Sequence, residues 1–299
     1  MSIINAQSKI QAINDIKSQV IDKYLATRGS GLINPKDIFL MRFEKQVKNM
    51  KSVDFTANDY IAYYSALAII ATAKGKLNEA ESLYSKAINL KPNNPSYLAD
   101  YNNILVGLCR FDDAQKFTED HFENGGKNYS LLLNLYICSL RNLEFTSLRK
   151  YYEQIRYKDV MSKETKQELE SIYMGTEHWA NMIDDLASIG IDKATYSEFF
   201  DLLYGFHKKH LYGTLNIRCS MGDDEEDYLT VDILVNTSLE EAVSLTNQFE
   251  RTLVDYAVET GRDDILSKFL VYYKSVDMEQ EESYPCVDTS LEENEDMVL

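Results

Sequence analysis

A mainly α chain that ends in a small α+β part is what three features of the sequence predict. Proline and glycine are scarce, at 4 and 12 among 299 residues, so few positions break long helices. Apolar residues recur three or four apart from residue 10 to about residue 211, the period of an amphipathic helix. They then alternate with polar residues over 215–221 and 229–235, the period of a half-buried strand.

Taken in order, Ile10, Ile13, Ile16, Val20 and Tyr24 share one face of a helix expected over about 4–26. It should stop near Arg28-Gly29-Ser30-Gly31. Asn34 can cap a second helix, with Pro35 in the first turn and Asp37 at the positive dipole end. That helix is expected to run through Phe39, Met41, Phe43 and Val47 to about Met50. A third helix, Tyr60 to Lys74, turns at Lys74-Gly75-Lys76 into a fourth, Leu77 to Leu90, closed by Lys91-Pro92.

The segment AKGKLNEAESLYSKAINLKPNNP resembles the second half of a tetratricopeptide repeat. Tyr64, Leu67 and Ala68 match that family's first-helix signature, and Ala80, Tyr84, Ala87 and Pro92 its second-helix signature. Small residues at 68 and 80 let two helix backbones cross at about 8–10 Å. Ala71 departs from the pattern, where the family has a large residue. A 34-residue step gives units at 61–94, 95–128 and 129–162. Leu98, Tyr101, Leu105 and Ala114 fall in place in the second, and Leu132, Leu135 and Tyr152 in the third. Thr118, His121, Leu148 and Ile155 depart from it. A further hairpin is expected over 163–190, with Leu169, Ile172 and Tyr173 in its first helix and Trp179 to Ile189 as its partner. The resemblance implies a helix-hairpin solenoid with a concave binding face, placed here as a helical-repeat domain over 1–192.

After about residue 193 the period changes. Tyr196 to Leu211 still reads as a helix, and strands follow at Leu215–Met221 and Leu229–Val235, joined by an acidic hairpin loop. Ser238 and Glu241 form a capping box for a helix ending at Gly261. Residues 269–276 fit a strand or a helix equally by period. A small α+β (ββα) module over 193–276 and an unstructured acidic tail over 277–299 complete the expected organisation.

Charge is distributed unevenly. From Cys219 onward there are 22 acidic and four basic residues, a balance of −18, while the first 218 residues balance at +1. Such asymmetry speaks about partners rather than fold. It disfavours direct nucleic-acid binding, because phosphates would be repelled. The longest uncharged run, Tyr60 to Ala73, is fourteen residues, short of the ~20 that cross a membrane. The start carries no secretory pattern. Cys109, Cys138, Cys219 and Cys286 are far apart with no CxxC pair, so reduced thiols in a cytoplasmic protein are expected.

Motif chemistry is thin. His207 and His210 stand one turn apart but lack a third ligand and flank two lysines, so they read as a solvated helix end. His121 and His178 stand alone. The loop Asp223, Asp224, Glu225, Glu226 and Asp227 lacks the spacing and glycine of an EF-hand and reads as a patch for a basic partner. Asp232 should face solvent on the strand side opposite Val231 and Ile233. Walker A, GxGxxG, HExxH and GxSxG patterns are absent. One subgroup of the resembled family clamps a terminal carboxylate with two asparagines and several basic residues. Asn103 and Asn134 fall at the asparagine positions, but Ala99, Glu164 and Glu168 occupy the basic ones. The asparagines can instead hydrogen-bond a partner.

The sequence therefore leads to a non-catalytic adaptor or regulator without cofactor or metal. Its repeats would hold one partner and its acidic module a basic protein surface. An antitoxin, immunity or nucleic-acid-mimic inhibitor of a basic enzyme is the alternative, and a small metal-dependent hydrolase a third.

Overall fold

Twelve α-helices and a small sheet make up the part of the chain placed by the computed structural model, which describes residues 2–25, 30–34, 36–92, 94–128, 130–155, 163–213, 216–221 and 227–276. The protein is mainly α with a small α+β part. Helix α1 (Ser2–Val20) passes into a π-helical turn, Ile21–Leu25, and Ile13, Ile16, Val20 and Tyr24 are buried as their spacing requires. Residues 30–32, expected to be no more than a helix stop, form strand β1 (Ser30–Leu32). Helix α2 (Ile38–Met50) starts later than the Asn34 cap implies. Asp37 is its N-cap, accepting from the backbone N–H of Phe39 and Leu40. Asn34 is spent on a local turn, accepting from Lys36 N–H.

Helix α3 (Ala57–Ala73) opens on a capping box between Thr56 and Asp59. It is apolar nearly all round, because α1, α2 and α4 (Leu77–Leu90) all pack on it, and such a helix is stable only when enclosed. Glu44 of α2 reaches the buried Lys74 ammonium at 2.5 Å. Burial works to raise the Glu44 carboxyl, but hydrogen bonds from Lys48 and Lys74 hold it down at about 2. Gly75 takes the left-handed conformation, φ 69°, with Ile33 packed where a Cβ would stand.

Two further helix pairs follow, α5 (Pro95–Gly107) with α6 (Phe111–Glu123) and α7 (Ser130–Asn142) with α8 (Thr146–Ile155). Asn94 caps α5, and Pro95 sits at its first position. Thr118, where the resembled pattern has an apolar residue, accepts from the buried Asn102 side chain at 2.7 Å and joins α6 to α5. Residues 163–188 are not a hairpin but one continuous helix, α9 (Lys163–Ser188). Gly175 does not turn the chain there. It admits the Tyr136 hydroxyl of α7, which would lie 2.8 Å from a Cβ. The boundary drawn at 192/193 falls in the short link to α10 (Lys193–His210), capped by Asp192. One apolar core crosses that point and runs from Ala99 to Tyr273.

The sheet is centred on β4 (Leu229–Asn236). Strand β3 (Asn216–Met221) pairs antiparallel along one edge, Asn216 opposite Leu234 through Met221 opposite Leu229. Strand β5 (Phe269–Ser275) resolves the ambiguous segment and pairs parallel along the other edge. Helices α11 (Leu239–Thr260) and α12 (Asp263–Lys268) supply the crossover that parallel neighbours require. The C-terminal module is thus ββα with a further strand, β5, which returns beside β4 as a β-α-β crossover. Val235 pairs with both Ser275 and Ser30, so β1 lies on the β3 edge. Strand β2 (Leu211–Tyr212) completes the sheet against β1. Asp232, expected in solvent, is half-buried and ion-paired with Lys274 at 2.7 Å.

The α3–α4 crossing gives a direct test. Ala68 and Ala80 are completely buried there, so Ala80→Leu should lower stability by about 1–3 kcal/mol through overpacking. Urea denaturation would measure this, and an unmoved midpoint would show that the crossing has room.

Candidate functional site

Helical spacing places Asp100, Asn103, Ile104 and Gly107 along one side of α5. Asn134 and Ile137 lie on the matching side of α7, and Ile69 and Thr72 on that of α3. In a stack of hairpins this side would be open. Here α10 contributes Tyr204, His207 and Lys208, β2 contributes Leu211 and Tyr212, and the N-terminal helix contributes Lys17, Ile21 and Leu25. Together they wall a cavity of about 460 Å³.

Specific contacts hold these walls. Arg141 of α7 grips Asp201 of α10 with two hydrogen bonds, 2.9 Å from Nε and 2.6 Å from Nη2. Ser197 of α10 donates to the Arg141 carbonyl at 3.1 Å. Lys208 donates to the Leu108 carbonyl beyond the end of α5 at 3.3 Å, where a cation meets the negative end of the helix. The Tyr212 ring lies against Gly31, whose missing Cβ would stand 2.4 Å from it. Tyr24 meets Tyr212 edge-on and donates to Asp37 at 2.9 Å.

The lining mixes apolar side chains with about as many polar and charged ones, and the states of its titratable groups follow from burial. Burial raises the Asp100 carboxyl against the opposing pull of Lys17 and the Tyr84 hydroxyl. The Lys17 ammonium sits 5.5 Å from the Tyr97 ring centre, a cation–π distance. His207 is 6% exposed, and burial pushes its imidazole down to about 4 despite the Gly213 carbonyl. That carbonyl only accepts, so His207 Nε2, 3.3 Å away, carries the hydrogen. Nδ1 is then a lone-pair acceptor, and it has no hydrogen-bond partner among the described residues. Asn134 is 1% exposed, and its Nδ2 donor also has no partner among the described residues.

Of the residues singled out from sequence, Asn103 and Asn134 are brought to this one cavity, Asn103 exposed and Asn134 buried. Asp223, Asp224, Glu225 and Glu226 lie outside the described residues, and Asp227 is exposed before β4. His207 is not at a solvated helix end. It follows Phe200 and Leu203 at spacings of seven and four on the buried face of α10, a signal that the His207–His210 spacing obscured. Asp100 was missed, although it precedes Asn103 by three residues. Among the described residues no group of three His, Cys, Asp or Glu side chains could hold a metal ion. Burial pushes the Cys138 thiol up to about 12 and raises Cys109 and Cys219.

A second surface lies on α11. Leu239, Val243, Val254 and Val258 are 46–75% exposed, and at 3.6 residues per turn they fall within an arc of about 100°. Glu240 and Glu250 share that arc, and both are exposed. No described helix is long and apolar enough to cross a membrane.

No protein-family model, curated protein or solved structure matches this chain. The likeness to tetratricopeptide repeats therefore rests on its own residues.

The buried imidazole makes stability depend on pH. An ordinary histidine titrates near 6.5, and His207 near 4, so the unfolded chain takes up the proton first and stability falls as pH drops between those values. His207→Leu should flatten the decline between about pH 6.5 and 5, measured by denaturant midpoints. His121 and His210, also lowered, remain in both proteins. Equal slopes would mean that His207 is hydrated.

Proposed function

We propose that this chain is a non-catalytic adaptor or regulator, with tetratricopeptide-like hairpins that hold one binding partner and an acidic C-terminal part that engages a basic protein surface. The observation that carries this reading is the α11 face, where exposed leucine and valine alternate with glutamate in a region of 22 acidic and four basic residues. Protein interfaces bury an apolar centre inside a polar rim, and contiguous exposed apolar side chains mark such surfaces. Like-signed rim charge speeds encounter with an oppositely charged partner and rejects nucleic acid. On the hairpin side, support comes from Asn103 and Asn134 meeting at one cavity. A reducing cytoplasmic setting fits the free thiols of Cys109, Cys138 and Cys219.

Selection of random peptides displayed against the immobilised chain tests the acidic face. Enriched peptides should carry lysine or arginine beside apolar residues. Their association should slow several-fold in Glu240→Gln/Glu250→Gln, an effect that shrinks as the Debye length falls from ~10 Å at 0.1 M salt to ~3 Å at 1 M. Val254→Ser/Val258→Ser should speed dissociation instead. Enrichment without basic residues, or binding indifferent to all four changes, would remove this face from the function.

A further inference from the structure

We propose that the acidic segment 277–299 folds back on its own chain, its residues 291–299 resting on the outward face of α2. The contact is internal and does not rest on the adaptor reading of α11.

At 3.6 residues per turn, Ile38, Met41, Arg42, Lys45 and Lys48 fall within an arc of about 120° on α2. All five are exposed, on the side opposite the buried Leu40 and Val47. Ile38 is 78% and Met41 53% exposed, so the face is apolar as well as basic. Residues 36–51 hold five basic and two acidic side chains. Both acids are already committed. Asp37 caps α2 and accepts from Tyr24, and Glu44 is held by Lys48 and Lys74. Arg42 and Lys45 have no carboxylate partner among the described residues. Beside Arg42 a groove of about 450 Å³ between α1 and α2 is lined by Phe39, Phe43 and Met50.

The segment matches this face with the opposite sign. It carries nine acidic residues and no basic one, and residues 291–299 set Glu292, Glu293, Glu295 and Asp296 between Leu291 and Met297. Strand register brings the two together. Val235 has Ser275 beside it on one edge of β4 and Ser30 on the other, which puts those serines about 10 Å apart. Strands β1 and β5 both run parallel to β4, so the chain leaves both at the same end of the sheet. Ile38 follows Ser30 by eight residues and therefore starts α2 within about 40 Å of Ser275. Residues 277–299 lie outside the described residues, but chain length alone lets 276–290 span about 50 Å. Single exposed ion pairs are weak. A tether of this length gives an effective concentration in the millimolar range, so a contact too weak to join separate chains is populated within one.

The test uses the full chain at low micromolar concentration, as an equal mixture of ¹⁵N-labelled and unlabelled protein. A carbodiimide couples a lysine amine directly to a carboxylate in contact with it, and mass spectrometry locates the link. Lys45 or Lys48 should be joined to the carboxylates of 292–296 within chains of one label. The yield should fall about fivefold at 1 M salt, where the Debye length is ~3 Å. Methyl-labelled methionine gives a second reading. Glu292→Gln/Glu293→Gln/Glu295→Gln/Asp296→Asn should shift the Met41 methyl resonance and remove its response to salt. Links found between chains of different label would overturn the internal contact and make it one between copies. Links spread equally to Lys208 and Lys209 would remove α2 as the target. A missing link together with an unmoved Met41 resonance would also overturn the proposal. Peptide selection on the α11 face reads Glu240 and Glu250, so its outcome is independent of this one.

Discussion

The pairing of Ser30 with Val235 and of Gly31 with Asn236 brings the N-terminal helices against the C-terminal sheet, and the site depends on that meeting. Only two register positions are involved, yet they fix several others. Strand β2 pairs with the other edge of β1, and Ile33 N–H donates to the His210 carbonyl at 3.0 Å. The end of α10 is thereby held over the hairpins. Gly31 is required because the Tyr212 ring occupies the space of a side chain. Without this junction the hairpin side would keep Asn103, Asn134 and the N-terminal helix packed on α3, but β2 would lose its partner strand. The site belongs to the junction as much as to the repeats.

The helices were the most legible part of the sequence, because their signals are local. Ser238 with Glu241, legible as a capping box, satisfies helix-end donors within four residues, and the structure adds Thr56 with Asp59 at α3 and Asn94 at α5. The alternation that marked β3 and β4 was equally local. What could not be read depended on distant partners. Ser30–Leu32 has no strand pattern of its own and becomes a strand only because β4 and β2 lie on either side. Gly175 resembles a break until Tyr136 is seen against it. For the candidate site, sequence position singled out Asn103 and Asn134, which the structure places at one cavity. It missed Lys17 and Asp100 and read His207 as solvated; the three converge from separate helices.

Two buried asparagines on the hairpin helices show how context sets the role of one residue type. Asn102 spends its side-chain N–H on Thr118 of the next helix and acts as a cross-link. Among the described residues Asn134 finds no partner for its own, while Asn102 leaves its Oδ1 unpaired. An apolar residue of similar volume would pack at position 134 without the cost of an unpaired donor. The retained amide is therefore a cost in stability that local packing does not offset. His207 bears a similar cost on the facing helix, neutral and paired through only one nitrogen.

The sheet has a consequence for how the chain comes off the ribosome. Strand β1 emerges early, while its partner in β4 lies about two hundred residues later, so their loop closes late and slowly. Until then the nascent hairpins stand with Ile69, Ile104 and Ile137 open to water and to other chains. Domains fold in the order in which they are made, and apolar surface left waiting is what chaperones bind. Pairing β1 with β4 thus joins segments that synthesis keeps about two hundred residues apart, and the hairpins wait for it with apolar side chains uncovered.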